Sequence, residues 1–384
     1  MNQFFATCPR GLEAVLAQEI AALGAHPVKA TDGGVSFGGP MALCYRVNLE
    51  SRIASRVLWQ IDSAPYRIEE DVYQRTRGLP WESWFTPHET IAVKVTAQRC
   101  ALKSLEFITL RIKDAVCDHF RDLTGIRPSV DTRLPDVRIH CYFDAQQFTL
   151  YLDTSGETLF KRGYRQFTGE APLRENLAAG ILKLSGWEPG MPLLDPMCGS
   201  GTFILEAALM ALHIPPGINR PFGFERLKNF ERGAWEQMRA EAAAKPLPAT
   251  VLPIHGSDHD KWAVMDARKN LENAGLTGVA TVEEKDILDI TAPAPSGVLV
   301  MNPPYGERIG EADELAELYP KLGSVLKQRF TGWKVGIITA DTRLPKLMRL
   351  KPSRKIPLFN GPIECRLYLF EMVAGSNRAR VPQA

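Results

Sequence analysis

Two short stretches of this chain carry residues suited to chemistry. Asp195-Pro-Met-Cys-Gly-Ser-Gly-Thr202 follows the apolar pair Leu193-Leu194, and Asn302-Pro303-Pro304-Tyr305 follows Gly297-Val-Leu-Val-Met301. In the first, Gly199 and Gly201 remove side chains where backbone must approach a ligand closely. The stretch lacks the G-x-G-x-x-G spacing of a dinucleotide site, and no lysine follows to hold phosphates. That favours a nucleoside ligand without phosphates. Asp195 can accept a hydrogen bond from a ligand ammonium group or from the loop's own amides. Pro196, Cys198 and Thr202 complete the candidate cofactor turn.

The second stretch suits an aromatic amine. An exocyclic amino group on a purine is a poor nucleophile because its lone pair is delocalised into the ring. Acceptors for both N–H groups favour tetrahedral nitrogen and free that lone pair. The side-chain oxygen of Asn302 and the carbonyl of Pro303 can do this from one turn, since proline restrains the backbone and donates nothing. Tyr305 can stack on the base and hold it in line, a proximity contribution. A methyl group activated by positive sulfur would need no metal. Asn-Pro is also a common turn starter, so the stretch alone reads as an ordinary turn. Its place after an apolar strand, downstream of the glycine turn, makes the pair specific.

These turns need strands and helices to hold them. Beyond residue 172 the two alternate, with strands expected at 192–195, 251–257, 279–285, 297–301 and 334–340. Helices are expected at about 174–186, 202–212, 260–274 and 312–329, and a final hairpin over 354–372. This pattern argues for a parallel sheet covered on both faces. Ligands of such sheets bind at the carboxyl ends of the strands. Asp258, with His259 beside it, ends the second strand and is placed to bind ribose hydroxyls. Asp286, with Ile287, ends the third and could accept from an adenine amino group. Either aspartate alone is more often a helix cap than a ligand, and their shared place at successive strand ends tips the balance toward a site. Asp258 lies much farther from the glycine turn than the roughly 20 residues of a dinucleotide fold; the excess is the segment 213–250.

The amino-terminal part reads differently. Residues 10–23 form an amphipathic helix between short strands near 4–6 and 28–37, and a second helix is expected over 40–58. A strand at 90–96, a helix at 104–122 and a hairpin over 137–153 follow. The expected division is a ferredoxin-like unit over 1–59, a second α+β unit over 60–165, and the α/β domain over 166–384.

Bulk properties exclude little. Net charge is +2, and residues 1–170 carry 20 basic against 20 acidic side chains, so any nucleic-acid contact must come from local patches. The seven cysteines show no Cys-x-x-Cys pair, which fits reduced thiols better than disulfides or zinc. The start lacks a signal-peptide pattern and no apolar run approaches the roughly 20 residues a bilayer requires. A cytoplasmic protein without metal or membrane partner is expected.

Both turns resemble the class I amino-methyltransferases, the N6-adenine and N2-guanine group. The resemblance implies a Rossmann-like α/β domain with S-adenosyl-L-methionine as cofactor. Pro172-Leu-Arg174-Glu175-Asn-Leu177 resembles the further motif that packs beside the cofactor's methionine end, which adds Arg174 and Glu175 to the cofactor site. Residues 60–165, ending in Leu-Asp-Thr-Ser-Gly156 and Lys161-Arg-Gly-Tyr-Arg165, resemble a THUMP domain, an RNA-binding module. Pro9-Arg-Gly-Leu-Glu13, Ser51-Arg-Ile-Ala-Ser-Arg56 and Asn302-Pro-Pro-Tyr-Gly-Glu-Arg308 are similar to the guanine-N2 half of bacterial 23S ribosomal RNA methyltransferases. The given sequence ends at 384, so a stand-alone guanine-N2 enzyme lacking N7 activity is implied. Its partner would be 23S rRNA or a large-subunit precursor. Guanine-N2 of tRNA, adenine-N6 of DNA, or a non-catalytic RNA-binding assembly role are the alternatives.

Candidate RNA contacts are Lys161, Arg162, Arg165 and the basic run Arg343, Lys346, Arg349, Lys351, Arg354 and Lys355. The segment 213–250, with Arg220, Phe222, Phe224 and Arg226, either borders the base pocket or forms a surface excursion with one amphipathic helix.

Overall fold

The computed structural model describes residues 1–164, 173–304 and 311–374, with only the backbone for 311–314. Arg165, Pro172 and Tyr305 therefore lie outside the described residues. The chain forms two compact units. One comprises Met1–Cys8, Glu13–Arg162 and Pro215–Lys245; the other comprises Pro9–Leu12, Gly163–Ile214 and Pro246–Ala384.

The first unit is built on one seven-stranded sheet. Its strands are β1 (Asn2–Thr7), β2 (Val28–Thr31), β3 (Gly34–Gly39), β4 (Arg56–Pro65), β5 (Ile91–Ala97), β6 (Val137–Phe143) and β7 (Gln147–Asp153). Their order is β2-β3-β1-β4-β7-β6-β5. The ferredoxin-like and THUMP-like stretches share this sheet, because β4 pairs with β1 through Arg56–Gln60 and with β7 from Leu58 to Pro65. The boundary expected at 59/60 falls inside that strand.

The helix expected over 40–58 stops at Glu50. Glu19 explains the stop: its carboxylate accepts from the Ser51 hydroxyl at 2.6 Å and from the amides of Arg52 and Ile53 at 3.1 and 3.2 Å. Those amides are lost to a continuing helix. A helix at Glu69–Arg77 was not expected, because its charged sequence leaves only Val72, Tyr73 and Thr76 buried.

The segment Pro215–Lys245 belongs to this unit, and its aromatic residues face inward. Phe222 and Phe224 stack at 5.2 Å, and Trp235 meets both edge-on. Tyr45 closes the cluster at 4.4 Å from Phe224. This corrects the expectation that these rings border a base pocket: burying several large aromatic faces stabilises a core. Arg220 is structural too. Its guanidinium donates to the carbonyls of Glu157 and Thr158 at 2.6 and 2.7 Å and to Ser155 at 3.3 Å. Burial, then the charge of Arg162, lowers its pKa to about 10. Arg162 itself is 3% exposed and holds the carbonyls of Leu159 and Arg52, each at 2.7 Å. Buried and bonded to backbone, it is not placed as the RNA contact expected from the sequence. Lys161 stays at the surface, paired with Glu157.

The second unit has strands β8 (Leu193–Asp195), β9 (Ile254–Asp258), β10 (Thr281–Glu284), β11 (Gly297–Met301), β12 (Trp333–Thr339), β13 (Arg354–Asn360) and β14 (Ile363–Glu371). The order is β10-β9-β8-β11-β12-β14-β13. All neighbours through β12 are parallel, and β14 runs antiparallel to both β12 and β13. From β8 the chain proceeds to β9 and β10 on one side, then to β11 and β12 on the other. The reversal opens a crevice between the carboxyl ends of β8 and β11, the binding place in open α/β sheets. The expected helices appear at Glu175–Leu184, Thr202–Ala211, Lys261–Asn273 and Glu311–Arg329. No described helix is long and apolar enough to cross a membrane.

Replacing Arg220 by Met should leave several buried carbonyls without a donor. Loss of about 3 kcal/mol of stability is expected in urea unfolding of the purified chain; a change below 0.5 kcal/mol would contradict the structural role.

Candidate active site

The glycine turn is fixed from three sides. Cys198 N–H donates to the Ser257 carbonyl at 2.9 Å, Gly201 N–H to the Cys198 carbonyl at 2.8 Å, and Gly199 N–H to the Asp258 carboxylate at 2.9 Å. Asn270, on the buried side of helix Lys261–Asn273, donates to the Ser200 carbonyl at 3.1 Å. Gly199 and Gly201 have φ of +49° and +83°, which glycine alone adopts without penalty. Their surroundings differ. A methyl group on Gly201 would sit 3.1 Å from the Ala267 Cβ, whereas nothing lies within 4 Å of one on Gly199. Gly201 thus permits close helix packing, and Gly199 leaves open space for a ligand.

Asp195 is 1% exposed, and its carboxylate accepts from Met197 N–H at 3.2 Å. Burial, reinforced by the charge of Asp258, pushes its pKa well above the carboxylate range. A ligand ammonium group would relieve both causes. Pro196 and Thr202 are buried in the turn's frame. Cys198 is buried as well, with its thiol pKa raised by burial and then by Asp195 and Asp258. It braces the turn against β9.

Asp258 ends β9 and uses one oxygen on Gly199 and the other on Asp260 N–H at 3.0 Å. Each oxygen keeps a further lone pair for ribose hydroxyls. His259 is exposed beside it, its Nδ1 3.5 Å from the Asp258 carboxylate. Asp286 is exposed two residues beyond β10 and accepts from Leu288 N–H at 2.7 Å, an Asx-type turn. Ile287 packs into the core between the sheet and helix Glu311–Arg329. Arg174 precedes helix Glu175–Leu184, with its guanidinium beside Gly361, where a methyl group would stand 3.0 Å from Nη2. Glu175 is 6% exposed.

Asn302 follows β11 directly and is half-buried; Pro303 is buried and Pro304 exposed. The pairing of Leu299 with Leu194 sets β11 beside β8. The asparagine turn and the glycine turn therefore leave the same sheet edge on neighbouring strands, about 4.8 Å apart. Sequence reading overlooked Asn270 and Ala267; the signal was a small and a polar residue on the buried face of an otherwise apolar helix side. It also overlooked Glu206, fully buried in helix Thr202–Ala211 and bonded by the Tyr164 hydroxyl at 2.8 Å. Among the described residues no group of three potential metal ligands occurs.

Residues 162–368 match the family described as "RMKL-like, methyltransferase domain". The chain belongs to this family. Residues 3–58 match an RlmL ferredoxin-like domain and 66–153 a THUMP domain. This RMKL-like chain is 40% identical to the ribosomal RNA large subunit methyltransferase K/L of Cellvibrio japonicus, covering 97% of this chain but 51% of that protein. It is 39% identical to a Synechocystis protein provisionally named an RNA methyltransferase, over 96% of both chains. It thus spans nearly all of one relative and about half of the other. The crystal structure of SMU.472, provisionally named a methyltransferase and complexed with S-adenosylhomocysteine, superposes with TM-score 0.87 at 32% identity, covering 98% and 99% of the two chains. S-adenosylmethionine, expected from the turns, is the cofactor of this methyltransferase family, and the open, phosphate-free donor set around Gly199 and Asp258 fits it.

The raised pKa of Asp195 has a signed consequence. A buried acid with a raised folded pKa favours folding below its unfolded pKa, and that contribution is lost as pH rises through the folded value. Asp195→Asn is therefore expected to stabilise the ligand-free protein more at pH 8 than at pH 5. Urea midpoints at the two pH values measure this, and an equal shift at both would refute it.

Proposed function

We propose that this RMKL-like chain is an S-adenosylmethionine-dependent RNA methyltransferase acting on the exocyclic N2 of a guanine in 23S ribosomal RNA. One observation carries the reading: the glycine turn after β8 and the Asn302-Pro303 turn after β11 share one edge at the switch point of the sheet. A cofactor held by the first turn would have its reactive carbon next to the acceptors of the second. The names of the K/L relatives support ribosomal RNA as the substrate, and a THUMP domain supports RNA over DNA.

The bound cofactor supplies a methyl group on positively charged sulfur. Asp195 would accept from its ammonium end and Asp258 from its ribose hydroxyls, while Asp286, with the buried Ile287 beside it, would accept from the adenine amino group. The Asn302 side-chain oxygen and the Pro303 carbonyl accept from the two N–H groups of the target amine. Tyr305, assigned from the sequence motif alone, would stack on the base. With the amine so held, its nitrogen would take the methyl group and lose a proton to solvent, and the electron pair of the broken bond would leave with the neutral thioether. Preorganised acceptors aimed at developing positive charge act as the inverse of an oxyanion hole. A base within a helix must first be flipped out to reach this turn.

Asn302→Ala should slow transfer by roughly 10²-fold or more, by analogy with removal of one preorganised polar group; single-turnover rates with unchanged speed would mean that the acceptor is elsewhere. Asp258→Ala should weaken cofactor binding at least tenfold in calorimetry while RNA affinity holds, and equal cofactor affinity would reject its assignment. Labelled cofactor offered with naked 23S RNA, large-subunit particles, tRNA and DNA identifies the product. N2-methylguanosine in 23S RNA is expected, whereas N6-methyladenine would defeat the guanine reading.

A further inference from the structure

The basic run 343–355 has no task in the catalytic reading, and its members differ in what they meet. Arg343 is bonded to the Asp341 carboxylate through its amide at 2.8 Å and its guanidinium at 3.0 Å. Lys346, Arg349, Lys351, Arg354 and Lys355 are exposed. None of these five forms an ion pair or a side-chain hydrogen bond with a described residue. No acidic residue interrupts the run. The next acids along the chain on either side, Asp341 and Glu364, sit against Arg343 and Arg366.

Register sets four of them on one face. In β13, Lys355 pairs with Tyr368 and Arg354 with Leu369. Residues directly opposite in an antiparallel pair share a face. Tyr368 lies in the core beneath helix Glu311–Arg329, whereas Leu369 lies beside Gly336 and Ser185 on the other face. Leu344, Met348 and, in part, Leu350 pack into the same core as Tyr368. They carry Lys346, Arg349 and Lys351 over the side that Lys355 faces, and Arg354 is left on the opposite one. The segment also stays near the reactive edge. Met301 pairs with Ile337, so β12 ends beside the Asn302 turn. Tyr368 pairs with both Ile337 and Lys355. Lys355 is thus level with Met301 and three strands away, roughly 14 Å at 4.8 Å per strand.

Arg349 carries a further signal. Its φ of +51° is left-handed, a conformation that glycine takes without penalty and arginine does not. Lys327 Nζ donates to the Arg349 carbonyl at 3.1 Å and Leu350 N–H to that of Pro345 at 3.2 Å, which hold the turn. Glycine would suit this backbone better, so the turn itself does not explain an arginine here. We propose that Lys346, Arg349, Lys351 and Lys355 form a phosphate-binding track for the backbone of the substrate RNA, leading from the reactive edge along the sheet face that helix Glu311–Arg329 covers. Four unpaired cations on one face attract counter-ions, and phosphates that replace those ions release them, which favours binding. A flat anionic lipid surface has the same charge but no reason to lie beside the Asn302 turn. The track rests on the proposed RNA substrate and names the part of the second unit that holds it. Contacts of this kind position a nucleic acid without reading its sequence.

The test is binding of transcribed 23S RNA to the full chain over a series of salt concentrations. In the fourfold variant Lys346→Gln, Arg349→Gln, Lys351→Gln, Lys355→Gln, the slope of log affinity against log salt should fall by about 2.8, at about 0.7 for each single-strand phosphate no longer neutralised. Arg354→Gln, on the opposite face, should change the slope by less than about 0.3. Arg349→Gly should lower it by about 0.7 without lowering the urea midpoint, because glycine adopts φ +51° freely. An unchanged slope in the fourfold variant overturns the track. So does a loss of about 0.7 from Arg354→Gln, which would reduce the effect to net charge. Unchanged RNA binding with lost adhesion to phosphatidylglycerol vesicles would assign the patch to lipid and likewise overturn it. Wild-type protein whose RNA slope depends on the four residues as expected, but which transfers no methyl group, would instead overturn the proposed function alone.

Discussion

The hydrogen bond from Gly199 N–H to the Asp258 carboxylate ties two consecutive strand ends into one site. Glycine at φ +49° presents its amide to that carboxylate and leaves space where any other residue would place a side chain. The same aspartate accepts from Asp260 N–H and so also fixes the start of helix Lys261–Asn273. Ala267 and Asn270 of that helix return to Gly201 and Ser200. The turn is thus held by its neighbours in a conformation with little freedom of its own, the preorganisation that close ligand contact requires.

A buried carboxylate sits at the centre of this arrangement. Asp195 keeps its acid group out of water beside the charge of Asp258, a placement that disfavours the ionised form. Burying a charge without a counter-ion costs stability. Such groups persist where a ligand supplies the missing charge, and the ammonium end of the cofactor has the required sign. The trade of ligand-free stability for ligand affinity is a recurring property of functional sites.

The first unit places its cationic groups differently. Arg220 and Arg162 resemble RNA-binding arginines by residue type, yet they donate to backbone carbonyls of Ser155, Glu157, Thr158 and Leu159 and of the distant Arg52. They shape the Asp153–Arg162 stretch and leave the surface to residues such as Lys161. The aromatic residues of 222–235 follow the same logic, forming a cluster around Tyr45 that extends the core of the unit.

Much of the α/β domain was legible in the sequence, because strand and helix periods and two special turns are local signals. Asp195, Gly199, Gly201, Asp258 and Asn302 could be named from such signals, since strand ends are where turn residues and carboxylates stand out. Three features depended on tertiary structure. The reach of β4 across both amino-terminal stretches, the recruitment of 215–245 into the first unit and the joining of Pro9–Leu12 to the second all rest on contacts between residues far apart in sequence. Whether an arginine meets solvent or a set of carbonyls is decided in the same way. Side-chain type sets what a group can bind, and the packing of distant segments determines what remains for it to bind.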